Sequence, residues 1–517
     1  MKILVISLLR LGDFMQALPV LDGLRRQYRI RELDLLTFAP VRQMEPMVPG
    51  IQRWWTLDRD GLQSGLGEAD IPMLTSFAWL KETLDEIDAN KYDCIVNLTQ
   101  TYFSAWIAGY LHAPQRAGLT MDVRGQAQFH SPWFQYLDEH AGTQVSDVFH
   151  NTDIFFYGSG LNGPERQWRL QETKAGRAEV AALRLPKGEK IVLQMLTSEN
   201  KKNWSTEAWL QMMRELHQSR PNASFVLLGA PNESSTLQAV HGQSQREGLP
   251  TVPAILSLAG ALTLLKQAQL LITGDTSIKH LANATDIPVL ELSLGSSDWR
   301  RTGAYKSNTY ILQAKVACAP CPHSAPCSQA RHECALQLKP STVALTANYM
   351  LNASEVSLNA LAKADTAVQI LRGRPLTNGF WMAHDITAPD PQRLVTAMVE
   401  RCTWKFLLNR EYLDPLARFG TETVQLKQEI DGLLDRTRTE GLLQHLDFLE
   451  QDTTQAREQA ALSLKNARHR RLLPNTDGAV DISGPRRENQ VLERAFNLTQ
   501  VKLKLIRALK FQLMEGQ

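Results

Sequence analysis

The stretch KILVISLLRLGDFMQALPVLDGLRRQY (residues 2–28) decides how the rest of the chain is read. Residues 2–8, KILVISL, form a short apolar run rich in β-branched side chains, the pattern of a parallel strand buried on both faces. Leu18, Leu21, Leu24 and Tyr28 then recur at helical spacing. Between them lies Leu11-Gly12-Asp13. Glycine lets the backbone turn tightly there. The aspartate stands at a helix N-terminus, whose dipole favours its ionised form. Strand, glycine-containing turn and helix open a doubly wound α/β domain. Arg10 and Asp13 interrupt the apolar start and no small-residue cleavage site follows. The segment therefore reads as a strand, not a signal peptide, and the protein is expected in the cytoplasm.

The same pattern continues outward. ELDLLTF (32–38) and DCIVNLT (93–99) read as strands, the second followed by an Ala/Trp-rich helix near 103–112. A polar, charged stretch at 162–190 reads as a crossing between domains. A second series then begins with IVLQML (191–196), SFVLLG (224–229), QLLITGD (269–275) and PVLELSLG (288–295) as strands. Helices such as TEAWLQMMRELHQSR (206–220) lie between them. Two such series imply an α/β protein of two Rossmann-like domains facing a cleft, with ligands at the carboxyl ends of the strands. After residue 345 the β-branched runs give way to Leu, Gln, Glu, Arg and Ala. Segments 422–449 and 488–513 carry helical periodicity, and 473–489 reads as a loop. The expected divisions are 1–165 and 166–345, each a Rossmann-like domain, and 346–517, a mainly helical extension.

Composition sets outer bounds. Of 517 residues, 43% are apolar and 21% charged, the usage of an ordinary globular chain. The net charge of +2 provides no global field for nucleic acid. No window approaches ~18 consecutive apolar residues, so no spanning helix is expected. Six cysteines do not make a disulfide framework. Four of them, Cys318, Cys321, Cys327 and Cys334, fall in a C-x2-C-x5-C-x6-C pattern within 17 residues. Such a cluster suits a structural zinc or iron, simple reduced thiols or, third, disulfides, and His323 and His332 are nearby substitutes as ligands. Coordination by all four cysteines leaves no open position for catalysis. Residues 465–517 carry eleven Lys and Arg against five Asp and Glu. Within them LTQVKLKLIRALKFQL (498–513) is a basic amphipathic helix, suited to packing against the protein or another subunit, or to an anionic membrane surface.

Three further strand ends carry polar groups. Thr197-Ser198-Glu199-Asn200-Lys201-Lys202-Asn203-Trp204 follows a strand and precedes a helix, and its hydroxyls, amides and lysines suit a phosphate. Gly274-Asp275-Thr276-Ser277-Ile278-Lys279-His280 would turn free amides into the same cleft. Gly229-Ala230-Pro231-Asn232-Glu233 puts an acid where a ribose hydroxyl can be bound. Each has a bland counterpart: a capping aspartate, a solvated loop, a core histidine, a surface acid. Their concurrence at the strand ends of two facing domains is what a nucleotide-sugar transferase needs.

At this point the sequence resembles glycosyltransferase family 9, the bacterial ADP-heptose heptosyltransferases of lipopolysaccharide core assembly. The likeness rests on MKILVISLLRLGDFMQALPVLDGLR, then YDCIVNLTQTYFSAWIAGYLHAPQRAGL, then Lys202-Asn203-Trp204, LLGAPNE and GDTSIKHLANATDIPVLELSLG, and lastly CAPCPHSAPCSQARHECALQLKP. It covers roughly residues 1–345 and has no counterpart in 346–517. The resemblance implies a GT-B fold and an inverting transfer without a catalytic metal. It makes Asp13 the general base. Lys202 would neutralise the leaving diphosphate, with Thr197, Ser198 and the amides of Thr276, Ser277 and Ile278. Glu233 would bind ribose, Gly12, Asp275 and His280 would line the donor site, and His150 would lie on the acceptor side. It further implies an ADP-heptose-like donor and a glycan or lipid-linked acceptor, with peripheral inner-membrane contact as an added expectation. The alternatives are an autotransporter-type protein acceptor, or a nucleotide-sugar-binding protein without catalysis. Some relatives hold iron in a comparable cysteine finger, and others are metal-free. The chain departs from the family pattern at Ser277, at Lys279, a cation close to the expected donor pocket, and at Asn97, where an acid is frequent.

Overall fold

The computed structural model describes residues 1–64, 73–139, 149–323, 325–351, 365–376, 379–409, 439–470 and 483–515, with residues 360, 361, 363, 424, 427 and 428 between them. The chain divides into two compact units, one of Met1–Pro375 with Gly379–Pro389, the other of Leu376–Asn378 with Asp390–Gln517.

The first unit holds two sheets. Strands β1 (Lys2–Ser7), β2 (Glu32–Phe38), β3 (Trp54–Leu57), β4 (Cys94–Asn97), β5 (Gln115–Met121) and β6 (Ala127–Phe129) lie in the order β3-β2-β1-β4-β5-β6. All neighbours are parallel except β5 and β6. The apolar run of residues 2–8 becomes the central strand: Val5 sits opposite Leu35 on one side and Val96 on the other, and Leu4, Val5 and Ile6 are wholly buried. Burying each such side chain contributes about 1.5–3 kcal/mol.

The second sheet contains β7 (Lys190–Gln194), β8 (Ser224–Gly229), β9 (Thr251–Ile255), β10 (Leu270–Thr273), β11 (Val289–Leu292), β12 (Thr309–Ala314), β13 (Val368–Pro375) and β14 (Trp381–Asp385). Their order is β14-β13-β12-β11-β10-β7-β8-β9. Strands β7–β12 are parallel, while β13 and β14 join antiparallel. The strand order thus reverses between β1 and β4 in one sheet and between β7 and β10 in the other. Open α/β sheets bind ligands outside the carboxyl ends of the strands at such reversals. Two Rossmann-like lobes of this kind make the GT-B architecture expected from the sequence.

Helix α1 (Leu11–Gln27) joins the lobes beneath these strand ends. Its Phe14, Leu18 and Leu21 share one hydrophobic cluster with Leu262, Ile278 and Leu281 of the second lobe. Trp168, in the crossing between the lobes, donates its indole N–H to the Met15 carbonyl at 2.8 Å.

The helical extension expected from residue 346 begins later. Residues 368–375 pair with β12 and residues 381–385 with β13, so this stretch completes the second sheet. In the second unit, α2 (Pro391–Leu408), α3 (Thr439–Arg470) and α4 (Ser483–Glu515) bury Val399, Phe406, Leu446, Leu449, Leu505, Ile506 and Leu509. The loop expected at 473–489 is shorter, because residues 483–489 already open α4; its part at 473–482 lies outside the described residues, as does most of 422–438. The basic helix of 498–513 packs within this unit. Lys502 pairs with Glu400 at 3.6 Å, Arg507 with Glu450 at 2.7 Å, and Lys510 with Asp447 and Glu450. Among the described residues, no helix is long and apolar enough to cross a membrane.

Candidate active site

Of the four polar strand ends, those after β7 and β10 meet at the reversal of the second sheet, that after β1 lies at the reversal of the first, and that after β8 lies one strand away from β10, beyond β7. Asp13 occupies the first turn of α1, directly after β1, and lines an open cleft of about 840 Å³ on the first lobe. Its carboxylate accepts from Gln16 Nε2 at 3.1 Å. Burial pushes the carboxyl above the usual carboxylate range and Asp275 pushes the same way, against Arg10, Lys202 and His323. Charges of the second lobe, Asp275 and Lys202, thus bear on the Asp13 carboxyl.

Gly12 sets how close the lobes come. A methyl group there would stand 3.2 Å from His280 Cδ2 and 3.8 Å from Ser277 Cα. His280 is buried, its Nδ1 has no hydrogen-bond partner, and burial together with Lys279 holds it neutral. Thr276 and Ser277 open the short helix Ser277–Leu281, whose first N–H groups have no intrahelical acceptors.

The loop after β7 is tied internally. Thr197 N–H donates to Asn203 Oδ1 at 2.8 Å, and Thr197 Oγ1 donates to the Glu199 carbonyl at 2.9 Å. Ser198 is exposed. Lys202 reaches Asp275 Oδ2 at 2.9 Å and Glu199 Oε1 at 3.4 Å. Gly274 lets this loop pack on the turn after β10, since a Cβ would lie 3.0 Å from Thr197 Cγ2. Burial opposes the charge of Asp275, yet Lys279 and Lys202 hold its carboxyl well below the usual range. In the free protein Lys202 is thus a compensated cation.

Several sequence expectations are relocated. Lys279, expected close to the donor pocket, is wholly buried, 2.7 Å from Asp275 Oδ1 and 2.7 Å from Glu291 Oε1. His150, expected on the acceptor side, is buried as the N-cap of the helix Asn151–Gly158, where Nδ1 accepts from Thr152 N–H and Nε2–H donates to the Gly303 carbonyl at 2.8 Å. Asn97 is buried and braces the backbone after β4, donating to the Leu119 carbonyl at 2.7 Å. Glu233, at the end of neighbouring β8, accepts the Ala230 N–H at 2.8 Å and so caps its own turn.

The cysteine segment folds over the phosphate-type loop. Lys201 Nζ donates to the carbonyls of Pro322, His323 and Ala325 at 3.0, 2.6 and 2.7 Å. His323 Nδ1 lies 3.1 Å from Glu199 Oε1 and its Nε2 3.1 Å from Arg10 Nη1, bridging the lobes above Asp13. The sequence named His323 only as a substitute metal ligand and assigned Glu199 and Arg10 no role. Their contacts span up to 313 residues, which no local spacing reveals. Cys318, Cys321, Cys327 and Cys334 are free thiols. Burial first, then the neighbouring cysteines, push Cys321 up. Cys334 is pushed up by burial as well, and its sulfur accepts from Gly295 N–H at 3.5 Å. Among the described residues no three His, Cys, Asp or Glu side chains are disposed to hold a metal ion.

Residues 82–330 match the family model described as Glycosyltransferase family 9 (heptosyltransferase). Lipopolysaccharide heptosyltransferase 1 of Pseudomonas aeruginosa is 24% identical over 337 residues, covering 62% of this chain and 86% of that protein. Lipopolysaccharide heptosyltransferase 3 of Escherichia coli is 23% identical over 306 residues, covering 56% and 83%. Among solved structures, the E. coli ADP-heptose lps heptosyltransferase II is similar at 15% identity and a TM-score of 0.49, covering 69% of this chain and 100% of that one. The chain carries a glycosyltransferase family 9 domain, and it is a glycosyltransferase.

Proposed function

We propose that the protein moves a heptose-like sugar from an ADP-sugar to a hydroxyl of a lipopolysaccharide-core-type glycan, with inversion at the anomeric carbon. The observation that carries this reading is that Asp13 of one lobe lines an open cleft and directly follows Gly12, which packs on Ser277 and His280 of the other lobe, in the same turn and helix as Asp275, the partner of Lys202. In the proposed step the acceptor oxygen attacks the anomeric carbon in line with the departing ADP, and Asp13 takes the acceptor proton as the bond forms. A carboxylate raised above its usual range is the better base for that task. The leaving diphosphate gathers negative charge as it departs. Lys202 would meet it by exchanging Glu199 and Asp275 for phosphate oxygens, beside the hydroxyls of Thr197 and Ser198 and the amides of Thr276, Ser277 and Ile278. Neutral His280, packed on Gly12, would border the donor sugar, and Glu233 would turn from Ala230 to the ribose. The heptosyltransferase relatives support the donor class, and the packing of Gly12, next to Asp13, on His280 and Ser277 of the second lobe supports the chemistry.

The test uses ADP-heptose and heptose-free lipopolysaccharide. Transfer is expected from the native protein and not from Asp13→Asn. Full activity in that variant removes Asp13 from its role. The metal expected at Cys318, Cys321, Cys327 and Cys334 finds no assembled ligand set among the described residues, and metal analysis tests it separately. Stoichiometric zinc or iron in purified protein supports it, and metal-free protein with titratable thiols overturns it.

A further inference from the structure

The cleft beside Asp13 holds a polar group that the proposed step does not use. Gln100 follows β4 and lines this cleft. Both its amide oxygen and its amide nitrogen are shielded from water, and neither has a hydrogen-bond partner. The residues around it are fully engaged. Thr99 Oγ1 accepts the Leu8 N–H at 2.8 Å, the Asn97 side chain accepts the Thr99 N–H at 3.0 Å, and Thr101 Oγ1 caps the helix Tyr102–Tyr110 by accepting the Ser104 N–H at 3.2 Å. The backbone at 97–101 is therefore fixed, while the Gln100 amide is left idle. Buried polar groups without partners are uncommon in folded proteins, and a ligand is one of the things that satisfies them.

We propose that Gln100 positions the acceptor. One rotation of its long side chain brings the amide to the cleft, where its oxygen accepts from one hydroxyl of the acceptor sugar and its NH2 donates to the neighbouring one. A side chain that offers one acceptor and two donors matches a pair of adjacent hydroxyls, and it would hold the ring so that a third hydroxyl meets Asp13. The cleft wall suits the rest of such a ring. Phe77 and Phe103 line it with 52% and 36% of their surfaces exposed, offering flat apolar surface to the C–H face of a sugar. This inference rests on the glycan-acceptor reading above and deepens it.

Gln100→Met keeps the side-chain length and removes the hydrogen bonding. The ligand-free variant is expected to unfold at a higher temperature than the native protein, because an unsatisfied amide is gone. The KM for heptose-free lipopolysaccharide is expected to rise about tenfold, with the KM for ADP-heptose unchanged within about twofold. Gln100→Asn, which keeps the amide but shortens its reach, is expected between the two. A lower unfolding temperature with an unchanged acceptor KM makes Gln100 a structural residue and overturns the proposal. A rise in the ADP-heptose KM alone moves it to the donor side and also overturns it. Turnover of a serine-containing peptide in place of the lipopolysaccharide overturns the sugar class. Failure of the donor reading itself is seen separately, as the absence of any thermal stabilisation of the native protein by ADP-heptose.

Discussion

Asp13 and Lys279 show how two charged residues of similar appearance in the sequence take opposite roles. Asp13 is half-buried at an open cleft, with its carboxyl raised by burial first and by Asp275 second. Activity that needs its ionised form should fall as the pH drops through a value above the ordinary carboxylate range. The acid limb of the kcat/KM profile reads this directly, and a limb at an ordinary carboxylate pKa would assign the base to another group. Asp13→Asn should reduce kcat by about 10²–10⁴. Lys279 is instead interior, held between Asp275 and Glu291 with no exposed surface. Lys279→Met leaves buried Glu291 without its cation and Asp275 with Lys202 alone, and should destabilise the fold by about 3–5 kcal/mol, measured by urea unfolding. A variant of native stability would show that the three charges do not hold one another. The sequence placed Asp13 by its turn and helix start, which are local signals. It left the direction of Lys279 open, because a lysine in the first turn of a helix carries no mark of which way it points. Only the strand order, which brings Glu291 of β11 beside it, decides that it points inward.

At the scale of elements, the buried parallel strands were legible and the edge strands were not. β1, β7 and β8 carry the uninterrupted apolar cores ILVI, IVL and FVLL, as expected of strands buried on both faces. β13, with the sequence VQILRGRP, alternates buried and open positions with Arg372 and Arg374 among them, so it blends into the polar, Leu-rich sequence around it. Its partner β14 carries His384, whose ring is held neutral by burial first and by Arg374 and Arg372 next, down to about 4. The sign of its effect follows from linkage. Between the ordinary histidine pKa near 6.5 and 4 the unfolded chain binds a proton there that the folded chain does not, so stability falls as the pH drops through that window. Allowing for screening at a partly exposed position, the loss is about 2 kcal/mol. His384→Gln should remove that part of the acid sensitivity while leaving stability at pH 8 nearly unchanged, as read by thermal unfolding across pH 4–8. An unaltered pH dependence would mean that the ring is already solvated.

For the two-lobed unit as a whole, the question is what keeps segments far apart in sequence in one arrangement around the cleft. Asp153, wholly buried in the helix Asn151–Gly158, supplies a joint. Its carboxylate accepts from Tyr305 Oη at 2.7 Å, pairs with Arg166 at 3.2 Å and accepts the Trp381 N–H at 3.3 Å. These partners come from the crossing between the lobes, from the stretch before β12 and from β14, up to 228 residues away. Arg166 is itself buried and lies over the Phe156 ring at 3.9 Å. No local pattern marks Asp153 as a joint, since each contact depends on the finished fold. Removing one partner of such a buried group exposes the full cost of the others' desolvation. Asp153→Ala should therefore cost about 3–5 kcal/mol, and Asp153→Asn, which keeps the shape and part of the hydrogen bonding, should cost less. Because Asp153 touches no proposed substrate group, the variants should differ from the native protein in unfolding midpoint and not in the pH profile of the transfer reaction. A changed profile at unchanged stability would make Asp153 part of the chemistry, and would require the acceptor cleft and this joint to be coupled through α1, where Thr152 Oγ1 donates to the Gln16 carbonyl at 3.0 Å within one turn of Asp13.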